Sequence, residues 1–276
     1  MSNRKRLISN FLSLSGVQTI NYILPLLTVP YLVRILGPEK FGLIAFAQAF
    51  IIYFTFIADY GFNLSATRKI SINRNNKERV SEIFSTVMFI KIVLMILSFL
   101  VMCLLVFSFN KFKTEWLVYL LTFGMVLGYV LFPAWLFLGM ESMRQIAIFH
   151  LISRVFYAVS IFVFIKNQSD YIYIPLINSI GLISAGLLSF LAAVKNFAIK
   201  IKIPRLSEIK KELKDGWHIF VSQIAQSIYT ISNPFILGIF TSNALVGYYS
   251  AGEKIVRAIQ WLSIPLLQTV YPHISK

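Results

Sequence analysis

Several charged residues stand inside long apolar stretches of this sequence, where a charge without a partner is costly. Four of them are cations, Arg34, Lys91, Arg154 and Arg257. Cations in a membrane cavity would bind a phosphate or an acidic sugar, Arg through its planar fork and Lys as a point charge. The carboxylate of Asp59 could take part in proton or sodium coupling, or it could pair with one of these cations. The sequence alone leaves both roles of Asp59 open.

Amide side chains recur at helical spacing in two of the apolar stretches. They are three residues apart in the first stretch, and three and then seven residues apart in the second. Gln18 and Asn21 lie in the first stretch, and Gln223, Gln226 and Asn233 lie in a later one. This spacing places each set on one face of a helix. Amides suit the hydroxyl groups of sugars, but they also join neighbouring helices through hydrogen bonds. We expect both sets to line the same cavity as the cations and to bind substrate.

The sequence carries no arrangement of residues that is typical of catalysis or metal binding. Cys103 is the only cysteine, and the three histidines are scattered along the chain. A zinc site needs several such ligands close together. The phosphate loop of ATPases, the Gly-x-Ser-x-Gly elbow and the His-Glu-x-x-His motif do not occur. We therefore predict a protein without catalytic residues, metal or cofactor, and not an enzyme.

Composition indicates which elements must position these side chains. Of 276 residues, 57% are hydrophobic and 13% are charged, whereas soluble domains carry about 25% charged residues. The apolar runs are continuous and long enough to cross a bilayer as helices, and they lack the alternation of membrane strands. The sequence predicts an all-α, polytopic bundle of about eight transmembrane helices. The predicted spans are 11–35, 41–63, 83–109, 117–138, 146–165, 172–194, 217–240 and 251–272.

The distribution of Lys and Arg predicts how the bundle is oriented. Seventeen lie in loops on one side, at 4–6, 68–79, 144, 195–214 and 276, against four on the other side. Because cytoplasmic loops carry the excess of Lys and Arg, both termini should be cytoplasmic. The net charge of +15 is therefore assigned to topology and anionic lipid, and no nucleic-acid partner is expected. Lys254 stands early in the last predicted span, and we expect its side chain to extend to the headgroups, an option that Arg34 shares.

A basic polar stretch divides the chain. The predicted parts are a six-helix lobe at 1–194, a cytoplasmic linker at 195–216, and two helices of an incomplete second lobe at 217–276. Within the linker, residues 207–214 have the spacing of a short amphipathic helix on anionic lipid, although a solvated linker is the alternative. A gapless shift of 205 residues aligns Gln18 with Gln223, and Gly42 with Gly247. This echo indicates a repeat of six spans, as transporters often show.

Three stretches resemble a known family. They are residues 28–50 (TVPYLVRILGPEKFGLIAFAQAF) continuing into 59–70 (DYGFNLSATRKI), residues 132–143 (FPAWLFLGMESM), and residues 233–238 (NPFILG) followed by 246–255 (VGYYSAGEKI). With these stretches the chain resembles the Wzx-type O-antigen and polysaccharide flippases of the multidrug/oligosaccharidyl-lipid/polysaccharide exporter superfamily. The resemblance covers nearly the whole chain, and its first stretch is the most specific.

The resemblance implies twelve helices in two six-helix lobes around a central cavity. It implies a multi-pass protein of the bacterial inner membrane that transfers undecaprenyl-diphosphate-linked oligosaccharide between leaflets by alternating access, driven by a proton or sodium gradient. Membrane lipids, a polysaccharide polymerase and chain-length proteins are expected partners. A role for Arg34, Lys91, Arg154 and Arg257 follows from charge and depth, not from a motif. Because the chain stops after about eight spans, we expect it to be truncated at its C-terminus.

Two alternatives remain at this stage. One is a drug or cation exporter of the same superfamily, although an acidic cavity would suit such a substrate better than the basic residues found here. The other is an inactive fragment or a scaffold of a polysaccharide assembly complex, since a lone lobe with two further helices would leave its cavity open to lipid.

Overall fold

A computed structural model describes the backbone of residues 3–274 and the side chains of residues 24–257, 259 and 260. The described part is helical, with one short 3-10 turn at Gln168–Ile172. The helices are α1 (Asn3–Asp59), α2 (Phe62–Asn73), α3 (Lys77–Ser108), α4 (Asn110–Lys113), α5 (Trp116–Leu131), α6 (Ala134–Gly139), α7 (Met143–Phe164), α8 (Tyr173–Asn196), α9 (Leu206–Thr230), α10 (Asn233–Phe240) and α11 (Asn243–Ile274). The predicted all-α fold is confirmed.

Five segments of the described residues are long and apolar enough to cross a membrane. They are Leu24–Asn73, Lys77–Ser108, Trp116–Gly139, Met143–Phe164 and Gln168–Asn196. Exposed apolar side chains cover one face of α3 and of α7, among them Leu100, Leu104 and Val159. Lipid is the solvent that suits such faces, because backbone polar groups are already satisfied inside the helices. The chain is therefore a multi-pass membrane protein.

The first two predicted spans are the two arms of one bent helix. Gly37 interrupts α1 with φ 70° and ψ 168°, and the second arm continues to Asp59. Such a positive φ favours glycine, and Pro38 follows at a position where proline suits a helix start. The predicted turn between residues 35 and 41 is thus a bend in the backbone rather than a loop.

The predicted spans 217–240 and 251–272 fall on three helices. Residues 206–230 form the single helix α9, so the stretch 207–214 is the first part of a longer helix and not a separate amphipathic one. The helix then ends at Thr230, and α10 begins beside Pro234. The helix α11 starts at Asn243, eight residues before the predicted start. The division into two lobes stays a prediction.

The polar connections collect at the two ends of the bundle. At one end, Lys69 forms salt bridges of 2.7 Å with both Glu212 and Asp215, and Arg74 pairs with Glu141 at 2.6 Å. At the other end, Lys40 Nζ lies 2.7 Å from Glu115 Oε1. The first end contains the basic loops that the charge count predicts to be cytoplasmic, and its orientation in the membrane stays a prediction.

The second arm of α1 and the start of α11 cross at two glycines. A Cβ on Gly42 would lie 2.6 Å from the backbone nitrogen of Gly247 and would overlap Asn243. A Cβ on Gly247 would in turn overlap Pro38. The contact is reciprocal under the shift of 205 residues, which relates Gly42 to Gly247 and Pro38 to Asn243. A two-fold relation between the two stretches produces this kind of contact.

Candidate functional site

Two adjoining cavities lie between the helices, and Ile52 and Tyr129 line both of them. The first, here called the cationic cavity, has a volume of about 360 Å³ and is lined from α1, α5, α7, α8, α10 and α11. The second, here called the ion-pair cavity, has a volume of about 340 Å³ and is lined from α1, α2, α3, α5, α6, α7 and α9. The bend and crossing of α1 bring its residues 25–59 past both cavities, so α1 positions more of the lining than any other helix.

Three cations line the cationic cavity. Arg154 comes from α7, and Lys254 and Arg257 come from α11. The guanidinium of Arg257 donates to Glu253 Oε1 at 2.7 Å and to the carbonyl of Thr230 at 3.0 Å. Within residues 24–257, neither Arg154 nor Lys254 has a carboxylate within 4 Å, and Lys254 Nζ lies 5.3 Å from the centre of the Phe41 ring. The described lining therefore carries a surplus of two positive charges.

Uncharged polar groups share the rest of the cationic cavity with apolar side chains. Gln48 and Asn178 contribute amides, and Tyr157 and Ser250 contribute hydroxyls. The Ser250 hydroxyl is buried and has no hydrogen-bond partner in the described part of the chain. Buried polar groups normally find partners, so this lining has capacity for a ligand rich in hydroxyls.

The ion-pair cavity contains a buried salt bridge. Lys91 Nζ lies 3.2 Å from Asp59 Oδ1, and the two residues are 2% and 9% exposed. Thr55 Oγ1 and Gln223 Oε1 face the same cavity, and both atoms are buried without a hydrogen-bond partner among the described residues. Asp59 is therefore the partner of Lys91, and two further oxygen atoms of the same cavity are available to a cation or to water.

The structure places some of the predicted site residues in the two cavities and others outside them. Those that line the cationic cavity are Arg154 and Arg257, and those that line the ion-pair cavity are Asp59, Lys91 and Gln223. Three line neither and are exposed: Arg34, Gln226 and Asn233. The side chains of Gln18 and Asn21 lie outside the described residues. The structure thus brings five of the ten predicted residues to the two cavities.

Lys254 lines the cationic cavity, although sequence reasoning expected its side chain at the headgroups. A span beginning at residue 251 puts it in the first turn, within reach of the headgroups. Because α11 begins at Asn243, Lys254 lies three turns into the helix and lines the cationic cavity. The sequence did carry a signal for this position. Glu253, Lys254 and Arg257 lie within about one helical turn, so their three charges reach the same cavity.

Neither cavity has the ligands for a metal centre. Among the described residues, no group of three or more His, Cys, Asp or Glu could hold a metal ion. His150 lines the ion-pair cavity, where its ring packs 4.7 Å from that of Phe132. The side chains of the two cavities can therefore bind anions, hydroxyl groups and small cations.

Comparison with known proteins gives three matches. The model of a family described as "Polysaccharide biosynthesis protein" matches residues 7–276. An Escherichia coli (strain K12) protein named "Putative O-antigen transporter" is 36% identical over 277 residues, which cover 99% of this chain and 66% of that protein. A Shigella dysenteriae protein of the same name is 30% identical over 267 residues, covering 97% of this chain and 67% of that protein.

This chain therefore spans about two thirds of the length of the two curated relatives that it matches. No solved structure matches it.

Proposed function

Because the chain belongs to the polysaccharide biosynthesis protein family, we propose that it acts in a transporter of lipid-linked sugar. The transporter moves an undecaprenyl-diphosphate-linked oligosaccharide, such as an O-antigen unit, from the inner to the outer leaflet of a bacterial inner membrane. The names of the two relatives and the polarity of the cationic cavity support this substrate class.

The observation that carries the proposal is the charge surplus of the cationic cavity. A buried charge is normally paired, since its desolvation is costly. Arg154 and Lys254 have no carboxylate partner in the described residues, while Arg257 is paired with Glu253. A diphosphate supplies at least two negative charges, which fits two unpaired cations. A cationic drug would meet the wrong sign of charge here, so this lining disfavours the drug-exporter alternative.

The sugar part of the substrate occupies the polar lining beside these cations. Gln48, Asn178 and the Ser250 hydroxyl offer donors and acceptors for hydroxyl groups. Among the predicted amides, Gln223 lines the adjoining cavity. We extend this role to Gln18 and Asn21 on the first arm of α1, in keeping with their shared helical face.

Ion coupling is assigned to the salt bridge of Asp59 and Lys91. A phosphate that reaches Lys91 competes with Asp59 for the ammonium group. A buried carboxylate that loses its counter-ion is destabilised in its charged form and takes up a proton or another cation. Thr55 and Gln223 supply the oxygen atoms that a sodium ion would need beside Asp59. Substrate binding and cation uptake are thereby linked at one site.

The movement itself is alternating access about the crossing of α1 and α11. The reciprocal contact of Gly42 and Gly247 supports a pair of related lobes that rock against each other. The excess of basic loops supports cytoplasmic termini. Polysaccharide polymerase and chain-length proteins are the expected neighbours of such a transporter in the membrane.

Complementation tests the proposal. The chain, alone and within any longer reading frame that contains it, is expressed in a bacterium that lacks its O-antigen flippase, and surface polysaccharide is quantified. We expect rescue by the wild type, and a loss of about tenfold or more for Arg154→Gln, because hydrogen bonds to charged groups contribute about 1.5–3 kcal/mol.

The matched control is Arg34→Gln, which removes an exposed Arg from the same bundle. It should keep wild-type rescue. Equal rescue by Arg154→Gln and Arg34→Gln, at equal amounts in the membrane, would contradict the role of the cationic cavity. Absence of rescue by the wild type, with the protein present in the membrane, would favour the scaffold alternative.

A further inference from the structure

The connection between α8 and α9 is held along the start of α3. This linker segment, residues 197–205, has an extended part in which the backbone N–H of Lys200 donates to Ser81 Oγ at 3.1 Å. Two residues later, the N–H of Lys202 donates to Ser85 Oγ at 2.9 Å. Because Ser81 and Ser85 are four residues apart on one face of α3, the linker segment runs beside that helix at a fixed depth.

The depth of the linker segment follows from the geometry of α3. Its 32 residues extend about 48 Å, against a hydrocarbon thickness of about 30 Å. The length of α3 that exceeds the hydrocarbon thickness lies in the headgroup layers. The charged residues of the first turns end at Glu82, and an apolar run begins at Ile83. Ser81 and Ser85 lie on either side of this change, so the linker segment lies where the headgroups meet the acyl chains.

Apolar side chains of the linker segment point away from the protein. Ile199 is 6% exposed, but Ile201 and Ile203 are 67% and 96% exposed, as is Leu206 at 67%. A contiguous exposed apolar patch on a protein surface indicates an interaction site. At this depth, acyl chains are the apolar medium next to the patch.

Cations surround the patch. Residues 195–214 contain seven Lys or Arg and two Glu. Lys202 is already paired within the protein, since its Nζ lies 3.0 Å from Glu78 and 3.4 Å from Glu82. The hydrogen bond with Glu78 raises the pKa of Lys202. Lys200, Arg205 and Lys210 are exposed, and the charged groups of their side chains form no salt bridge in the described chain, although the backbone N–H of Arg205 donates to Glu208. These three remain available to anions outside the protein.

We propose that the linker segment with Leu206 is a binding site for anionic phospholipid. Ile201, Ile203 and Leu206 insert between acyl chains, and Lys200, Arg205 and Lys210 contact the phosphates of the headgroups. The site is centred on the extended segment and takes only Leu206 and Lys210 from the start of α9, where Glu212 is buried against the protein. The proposal does not depend on the transported substrate.

The depth of the patch can be measured with a fluorescent probe. In a Cys103→Ala background, Ile203→Cys is labelled with an environment-sensitive dye, and the whole protein is placed in nanodiscs with and without phosphatidylglycerol. We expect blue-shifted emission, quenching by spin-labelled lipid and little quenching by iodide. The control Asn75→Cys, an exposed position in the turn between α2 and α3, should show the reverse. Iodide quenching of both positions to the same extent would overturn the proposal.

The charge of the lipid is tested separately. Phosphatidylglycerol retained by the purified protein is counted by native mass spectrometry for the wild type and for a triple variant, K200Q/R205Q/K210Q. Because each surface cation contributes about fivefold to the binding of anionic lipid, the triple variant should lose most of the retained lipid. The control K77Q, an exposed Lys at the same end, should lose little. Unchanged retention in the triple variant would overturn the assignment to anionic headgroups.

Discussion

The cations that line the two cavities fall into two groups. Lys91 and Arg257 have carboxylate partners, Asp59 and Glu253. Arg154 and Lys254 have none within the described residues. A paired cation contributes little net charge to its cavity, whereas an unpaired one attracts an anion. Arg154 and Lys254 therefore set the charge that a ligand of the cationic cavity encounters.

The sequence predicted the type of charge at this site but not its pairing. Arg154 could be placed in a cavity because it lies two turns inside a clear apolar run. The pairing of Lys91 with Asp59 joins residues on two helices and depends on how α1 and α3 rotate against each other, which no local pattern records. Exposure of Arg34 likewise depends on which side of α1 the neighbouring helices cover.

Breaking the salt bridge of Asp59 and Lys91 should destabilise the protein strongly. Asp59→Asn or Lys91→Met leaves one buried charge without a partner, and such changes cost about 3–5 kcal/mol. The double variant removes both charges and should recover most of this loss. The free energy of unfolding in mixed micelles checks the result, with Lys113→Met, at an exposed Lys, as the neutral control.

The same double variant separates structure from transport. If the pair couples transport to an ion gradient, the folded double variant binds substrate but no longer accumulates it when a gradient is applied. Additive effects of the two single changes would show that no interaction exists between Asp59 and Lys91, and gradient-driven transport by the double variant would remove the coupling role.

At the scale of the helices, the crossing of α1 and α11 holds the cationic cavity together. The second arm of α1 and α11 both line the cavity, and Gly42 and Gly247 allow their backbones to touch. Small residues at such crossings let membrane helices approach closely. The alignment of Gly42 with Gly247 was visible in the sequence, but only the structure places these two glycines against each other.

Replacing either glycine by alanine should destabilise the crossing. In Gly42→Ala the new Cβ overlaps the backbone of α11, and in Gly247→Ala it overlaps that of α1. Overpacking typically costs about 1–3 kcal/mol. Thermal unfolding of the purified variants checks this, together with loss of complementation.

Gly252→Ala is the matched control, because it lies on α11 with no heavy atom within 4 Å of the added Cβ. That variant should be neutral or slightly more stable, since alanine favours helix over glycine by about 1 kcal/mol. If Gly42→Ala matched Gly252→Ala in stability, the close crossing would not exist in the folded protein.

Hydropathy predicted most helices, and it failed where the backbone bends or a polar helix continues into an apolar one. The spans 83–109, 117–138, 146–165 and 172–194 match helical segments within a few residues. The bend at Gly37 keeps two predicted spans in one helix. The start of α9 is polar, and its Glu212 forms a salt bridge with Lys69. Such tertiary contacts extend the helix beyond its apolar part.

At the scale of the molecule, the two ends of the bundle differ in charge. Loops on opposite sides of the apolar helices are held by separate polar networks, one around Lys69 and Lys202 and the other around Lys40 and Glu115. The distribution of Lys and Arg predicts that the first end is cytoplasmic.

Cysteine labelling tests this topology. In a Cys103→Ala background, Asn75→Cys lies in the turn between α2 and α3, and Ser169→Cys lies between α7 and α8; both positions are exposed. A membrane-impermeant maleimide applied to spheroplasts should label Ser169→Cys at once and Asn75→Cys only after permeabilisation. The opposite pattern would reverse the orientation, and labelling of both would contradict the alternation of the loops.

Ligand binding to the purified, full-length protein tests the central claim most directly. Affinities for undecaprenyl diphosphate and for uncharged undecaprenol are compared by native mass spectrometry, for the wild type and for Arg154→Gln/Lys254→Gln. We predict that the wild type prefers the diphosphate by about a hundredfold or more, since two charge-assisted contacts are involved, and that the double variant loses this preference. Equal binding of the charged and uncharged lipids by the wild type would contradict a diphosphate site in the cationic cavity.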